Sequence, residues 1–325
     1  MNPDPTPDPL ARPEHDLGEL GDLGELGDLG DLVGDLAAEL ARLDAAPPHA
    51  DVRAGVLAAA RREPRPTIAP MAPLDVFEHC VCDLDEVLDR LDETGELDRG
   101  GGAAIVDAYG WTVIELVRHL AAVERHMQMA LGLAPDERDP DRLDHLGVGR
   151  AFRARLAERR PIDAVRAWRD LAYGTVAALR IGAGPAAGNV VQMHQWPFSV
   201  DSLLIVRSFE LWTHADDVRR ATGRALAAPP PAALRAMSSL SVQSLPVLAA
   251  VVADRDDVPG VRVVLTGEGG GTHDIGTGPR TTTLVADVVD YCRLVARRAG
   301  PSVFDIEGDP SPVADLVAAA QAIAM

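Results

Sequence analysis

The segment 209–217, FELWTHADD, sets a glutamate and a histidine four residues apart in a run that is otherwise helical and apolar. In a helix, residues i and i+4 stack on one face. Over 199–224 that face reads Leu203, Val206, Glu210, His214, Val218 and Ala221. Glu210 and His214 therefore occupy places where the periodicity calls for apolar side chains. A buried carboxylate is costly unless it is paired or bound to a cation. Asp217, three residues past His214, borders the same face. In another amphipathic run His119 stands beside Leu116, Ala122 and Val123, and is expected to face inward as well.

One histidine and a Glu-x-x-x-His pair on facing helices make three ligands, as metal sites in helical bundles do, and leave a coordination position open. Zinc or a similar divalent ion suits such a set. The same spacing is open to a hydrogen-bonded polar pair and a satisfied core histidine without metal. Glu115 lies one turn before His119, but Thr112 and Glu115 ahead of an apolar run form a capping-box pattern that accounts for it. Glu124 and His126 are expected to point outward or sideways, with His126 a reserve ligand. His194 and His273 are placed in loops. GEGGG (267–271) lacks the Lys-Ser/Thr ending and the following helix of a phosphate loop. Ser202 and Ser208 stand in no nucleophile-elbow sequence.

The elements that must position these residues are mostly helices. Apolar residues at 3–4 spacing predict helices over 74–93, from Val113 to about 132, over 161–181 and over 199–224. Together they predict a four-helix bundle. A further helix is expected to about 253, a β-hairpin over 260–278, and helices over 282–300 and 311–324. The segment 182–198 reads as a loop. The fold class is thus mainly α, with a bundle over 71–228 followed by a small α+β domain over 229–325. Residues 37–70 read as a helical lead-in and linker. Residues 1–36, with DLGELGDLGELGDLGDLVGDL from 16, read as a disordered acidic tail. Leucine at every third position winds around a helix instead of lining one face, and the glycines weaken a helix further.

The chain of 325 residues is long enough for two such domains, and 47% of it is hydrophobic, which supplies a core. Its formal charge of −19 argues against nucleic acid and anionic membranes as partners. Cys80, Cys82 and Cys292 are too few and too irregularly spaced for a disulfide framework or a cysteine zinc site. With no basic-plus-apolar leader and no apolar run near the ~20 residues a bilayer span needs, a soluble cytoplasmic protein is expected.

Five stretches, in this order, resemble one family. GWTVIELVRHLAAVE (110–124) and FELWTHADDVRRATGR (209–224) resemble the two ligand-bearing helices of the mycothiol-dependent maleylpyruvate isomerase N-terminal domain, a DinB-like four-helix metal-binding bundle. VVLTGEGGG (263–271), DYCRLVARRAGP (290–301) and IEGD (306–309) resemble that family's small C-terminal domain. The resemblance implies that His119, Glu210 and His214 bind a divalent metal, zinc by preference. It implies that Arg297, or its neighbour Arg298, faces the active site to bind a substrate carboxylate. Asp217 would orient a ligand histidine, or be a surface charge of its helix. The implied activity is mycothiol-dependent isomerisation of a small unsaturated keto acid, with mycothiol as thiol cosubstrate. Mycothiol S-transfer to an electrophile is the alternative on the same site. A non-catalytic metal-binding or regulatory protein, with its acidic tail as a docking arm, is a third reading.

Overall fold

The computed structural model describes residues 68–99, 101–106, 110–135, 149–193, 196–252 and 259–321. The acidic tail and the lead-in up to residue 67 lie outside these residues, as does His194.

Helix α1, Pro73–Glu93, opens on a proline whose missing N–H costs nothing there. It buries Val76, Phe77, Cys80, Val81, Leu84, Val87, Leu88 and Leu91, the 3–4 stripe legible in its sequence. A helical turn, Glu96–Arg99, leads to a two-residue strand β1, Ile105–Val106, which pairs antiparallel with β2, Trp111–Thr112. Helix α2, Val113–Ala130, starts at Val113 as expected, with Thr112 as its cap. The Thr112 hydroxyl accepts from the Glu115 N–H at 3.2 Å, and the Glu115 carboxylate accepts from the Thr112 N–H at 2.8 Å. This reciprocal cap fixes where the helix begins, and so which α2 residues face inward. Thr112→Ala is expected to cost about 1 kcal/mol, read as a fall in the urea midpoint at unchanged slope.

Helix α3, Arg150–Ala157, covers α2 and has no counterpart among the elements expected from sequence. Helix α4, Pro161–Arg180, follows. The stretch expected as a loop contains a hairpin, β3 Val190–Met193 with β4 Trp196–Ser199. It packs against α2 and α5, and this long-range support, absent from the local sequence, decides its conformation. Helix α5, Val200–Ala221, is capped by Ser199, whose hydroxyl accepts from the Ser202 N–H at 3.1 Å.

The four long helices α1, α2, α4 and α5 share one core. α1 packs on α5 and α4, and α2 on α4 and α5. Arg219 of α5 reaches Asp83 of α1 with two hydrogen bonds, at 2.5 and 3.0 Å. α5 is buried on nearly every side, from Leu203 to Arg219. Its polar side chains are interior because the whole helix is interior, not because one face alone turns inward.

Helix α6, Pro231–Val252, opens the C-terminal domain and packs on α5 and on the rest of that domain. That domain is a four-stranded sheet, β5 Pro259–Thr266, β6 Gly271–Ile275, β7 Thr277–Asp287 and β8 Asp305–Gly308, in the order β6-β5-β7-β8. Helix α7, Val288–Val295, follows β7, and α8, Val313–Gln321, closes the described chain. β5 pairs antiparallel with β6, the expected hairpin, and parallel with β7. The chain crosses over the start of β5 at Gly260, where a Cβ would stand 2.7 Å from the Gly278 carbonyl oxygen. Tyr291 of α7 and Ser241 of α6 share a hydrogen bond of 2.8 Å in the core between them.

The helix expected over 282–300 is corrected here. Residues 277–287 form β7, and helix occupies only 288–295. Leu284, Val285 and Ala286 are all buried, because the second half of β7 lies inside the sheet with side chains of both faces covered, while 277–281 are exposed. A strand buried on both faces reads as a continuous apolar run, which periodicity cannot tell from a buried helix. The β-branched Thr281, Thr282, Thr283 and Val285 are the composition cue. No helix of the described residues is long and apolar enough to cross a membrane.

Candidate active site

α2 and α5 bring His119 and Glu210 together. His119, 2% exposed, lies with its Nε2 3.6 Å from Glu210 Oε1. Its ring tilts against Trp111 at 5.2 Å between centroids. Burial lowers the His119 pKa, and repulsion from His214 and Arg207 adds to this, while Glu210 pulls the other way. The net shift is downward, which favours the neutral imidazole, the form that ligates metals.

One turn along α5, His214 is buried and its Nδ1 lies 3.1 Å from Asp217 Oδ2. Asp217 is itself buried. It accepts from Arg298 Nε at 3.0 Å and Nη2 at 2.5 Å, a two-pronged contact from just beyond α7. Burial alone would raise the Asp217 pKa, but the hydrogen bonds with His214 and Arg298 prevail and hold it at about 2. A depressed carboxyl stabilises the fold above its unfolded value of 3.8, and that stability drains away as pH falls towards 2. In chelator-treated protein the drop between pH 5 and pH 2 should therefore be smaller in Asp217→Asn than in wild type, by about 2 kcal/mol. Urea midpoints at four pH values give the comparison. Equal slopes in both proteins would show that Asp217 is not the group responsible.

Arg297 and Arg298 follow α7. Arg297 takes the left-handed conformation, φ 57°, rare for a residue with a Cβ. The Arg298 N–H bonds the Arg293 carbonyl at 2.7 Å, so Arg297 occupies the place in the cap where glycine is usual. The turn sends the two side chains different ways. Arg298 meets Asp217, while Arg297 donates from Nε to the Gln321 carbonyl at 3.2 Å. Both line a cleft of about 280 Å³ with Arg220, Asp217, Ala221, Ile105 and Val106.

Two further charged residues belong here, and the sequence reading missed both. Arg207 of α5 is 2% exposed and Glu124 of α2 is fully buried, with Arg207 Nη2 2.7 Å from Glu124 Oε1. Arg207 Nη1 also bonds Glu210 Oε2. The expectation that Glu124 and His126 point outward or sideways is corrected. Both are buried, because α3, α4 and α5 together cover α2. Burial raises the Glu124 pKa and Arg207 offsets only part of the rise. The signal available in sequence was Arg207 itself, a guanidinium amid Leu204, Ile205 and Phe209. Glu115 stays at the cap. His273 is on strand β6 opposite Val263, not in a loop, and lies in the C-terminal sheet.

The His119–Glu210 pair has the chemistry and the spacing of two ligands of one divalent ion. Two ligands of one tetrahedral zinc at about 2.0–2.1 Å stand about 3.4 Å apart, close to the 3.6 Å between His119 Nε2 and Glu210 Oε1. His214 has its Nδ1 engaged by a carboxylate, the arrangement that orients metal-binding histidines. No three His, Cys, Asp or Glu side chains among the described residues are already gathered as a ligand shell. The protein's own buried thiols are poor nucleophiles, since burial pushes the pKa of Cys80 and Cys292 far up. Ser208 is satisfied by the Leu204 carbonyl at 2.7 Å.

Fold and site define a mainly helical protein whose bundle interior carries ionisable groups from two facing helices, followed by a small α+β domain. Residues 83–219 match the family model described as the mycothiol maleylpyruvate isomerase N-terminal domain, so the resemblance seen in the sequence holds over this segment. Among solved structures the chain is similar to the crystal structure of the mycothiol-dependent maleylpyruvate isomerase, at 18% identity and a TM-score of 0.47, over 73% of this chain and 92% of that one. A histidine-to-alanine mutant of that enzyme matches at 18% and 0.46 with the same coverage. No curated protein matches the sequence.

Proposed function

We propose that this chain is a mycothiol-dependent enzyme of the maleylpyruvate isomerase type, with His119, Glu210 and His214 as ligands of one divalent metal, zinc by preference. The observation that carries this reading is the meeting of His119 and Glu210 at 3.6 Å across two helices, with His214 oriented by Asp217 one turn away. When bound, a divalent ion supplies Lewis acidity, lowering a thiol pKa and polarising a carbonyl. The chain's own residues do the rest. The neutral His119 and the His214 ring held by Asp217 present nitrogen donors. Arg297 and Arg220, at the cleft, offer guanidinium groups to a substrate carboxylate. The mycothiol thiolate adds to the carbon–carbon double bond of a small keto acid, the resulting single bond rotates, and elimination returns the thiolate with the trans product. The buried cysteines take no part. The reading divides the chain into the bundle, 71–228, and the C-terminal domain, 229–325.

Metal content of the purified protein tests the reading. About one zinc per chain is expected in wild type, and a near-complete loss in His119→Ala and in His214→Ala. Isomerisation of maleylpyruvate with mycothiol should fall with the metal. Zinc retained in both variants would place the ion elsewhere. Conjugation of a model electrophile without isomerisation would instead favour the S-transferase reading.

A further inference from the structure

We infer that Arg207, clamped by Glu124, is a positioning residue that presents Glu210 to the metal through a single carboxylate oxygen. This rests on the metal reading above and concerns groups outside its ligand set. Arg207 and Glu124 come from different helices and are 2% and 0% exposed. The guanidinium is a rigid planar fork. One of its terminal nitrogens holds Glu124 Oε1 at 2.7 Å, and the other holds Glu210 Oε2. The remaining oxygen, Oε1, is the one turned to His119.

Such a cluster is a poor way to stabilise a fold. Each buried ion carries a desolvation cost of several kcal/mol, and apolar residues of similar volume serve packing as well or better. What apolar residues cannot do is hold one oxygen of a carboxylate and leave the other available. A carboxylate free to turn can give both oxygens to an ion, as calcium sites show. With Oε2 committed to Arg207, Glu210 contributes one ligand, His119 and His214 contribute two more, and a fourth position stays open for the reacting molecule. Glu124 keeps Arg207 from swinging away with Glu210. The two carboxylates and one guanidinium carry a net charge of −1, so a divalent ion leaves +1, suited to one anionic ligand such as a thiolate.

The test uses the full chain stripped of metal and loaded with cobalt(II), whose visible absorption reports coordination number. The wild type is expected to show the intense bands of a four-coordinate site, lost in His119→Ala and His214→Ala. The double variant Glu124→Leu/Arg207→Met keeps apolar volume in the core and should fold, as circular dichroism and urea unfolding will show. Its cobalt bands should lose most of their intensity as the site becomes five-coordinate, and its zinc affinity, by chelator competition, should change roughly 10- to 100-fold. Should the double variant not fold, Arg207→Lys decides on the same two readouts, since an ammonium cannot fork across both carboxylates in one plane. A folded variant with the wild-type spectrum and affinity would overturn the inference and leave the metal reading standing. A wild type that takes up no cobalt, or takes it up equally without His119 and His214, would overturn both.

Discussion

Arg207→Ala is expected to destabilise the protein by about 3–5 kcal/mol, because it leaves the fully buried Glu124 carboxylate without its cation. The magnitude comes from stranding a charge, not from the worth of the pair. Glu124 would protonate to escape the penalty, towards which burial already pushes it. The loss should therefore shrink below the raised Glu124 pKa and be largest at neutral and alkaline pH. A second substitution, Glu124→Leu, should restore most of the lost stability when Arg207 is Met. Urea unfolding of the metal-free single and double variants measures both numbers. A loss under 1 kcal/mol in Arg207→Ala at neutral pH would mean that water enters and solvates Glu124.

The second large effect is expected at Trp212, on the opposite side of the same stretch of α5. Trp212 is 1% exposed, and its indole N–H donates to the Ala227 carbonyl at 2.7 Å. The Ala227 N–H is in turn accepted by Asp216 at 3.1 Å. Two side chains one helical turn apart thus hold both backbone groups of a single residue in the connection between α5 and α6. Trp212→Ala should cost about 3–5 kcal/mol, from lost burial plus the cavity left behind. Trp212→Phe keeps most of the apolar area and loses the hydrogen bond, so about 1 kcal/mol is expected. Thermal and urea unfolding give both values. If Phe proved as costly as Ala, the hydrogen bond to the connection would outweigh the packing.

The segment FELWTHADD illustrates how far sequence reaches. Its helix was legible because apolar residues recur at helical spacing on both flanks, and the polar residues stood out against them. His214 and Asp217, three apart on one helix, are neighbours by helix geometry alone. The meeting of His119 with Glu210 was within reach because both stand among apolar residues on helices of one bundle. The Glu124–Arg207 pair was out of reach, because its members are 83 residues apart and the burial of Glu124 depends on α3 and α4 covering its helix. The choice between Arg297 and Arg298 was also closed to local reading. Both line the cleft, and what separates their directions is the left-handed place after α7, held here by an arginine where glycine is the usual signal. β7 was misread because three successive apolar residues of its second half, Leu284, Val285 and Ala286, are buried whichever face they stand on.

The hydrogen bonds from Arg298 to Asp217 bear on modularity. The bundle's His214 is held by a carboxylate that is in turn held by a residue contributed from the far end of the chain. A chimera joining this bundle to a foreign C-terminal domain would inherit the histidine but lose the cation behind its carboxylate. Grafting the His214–Asp217 pair onto another scaffold therefore requires carrying the Asp217–Arg298 contact with it.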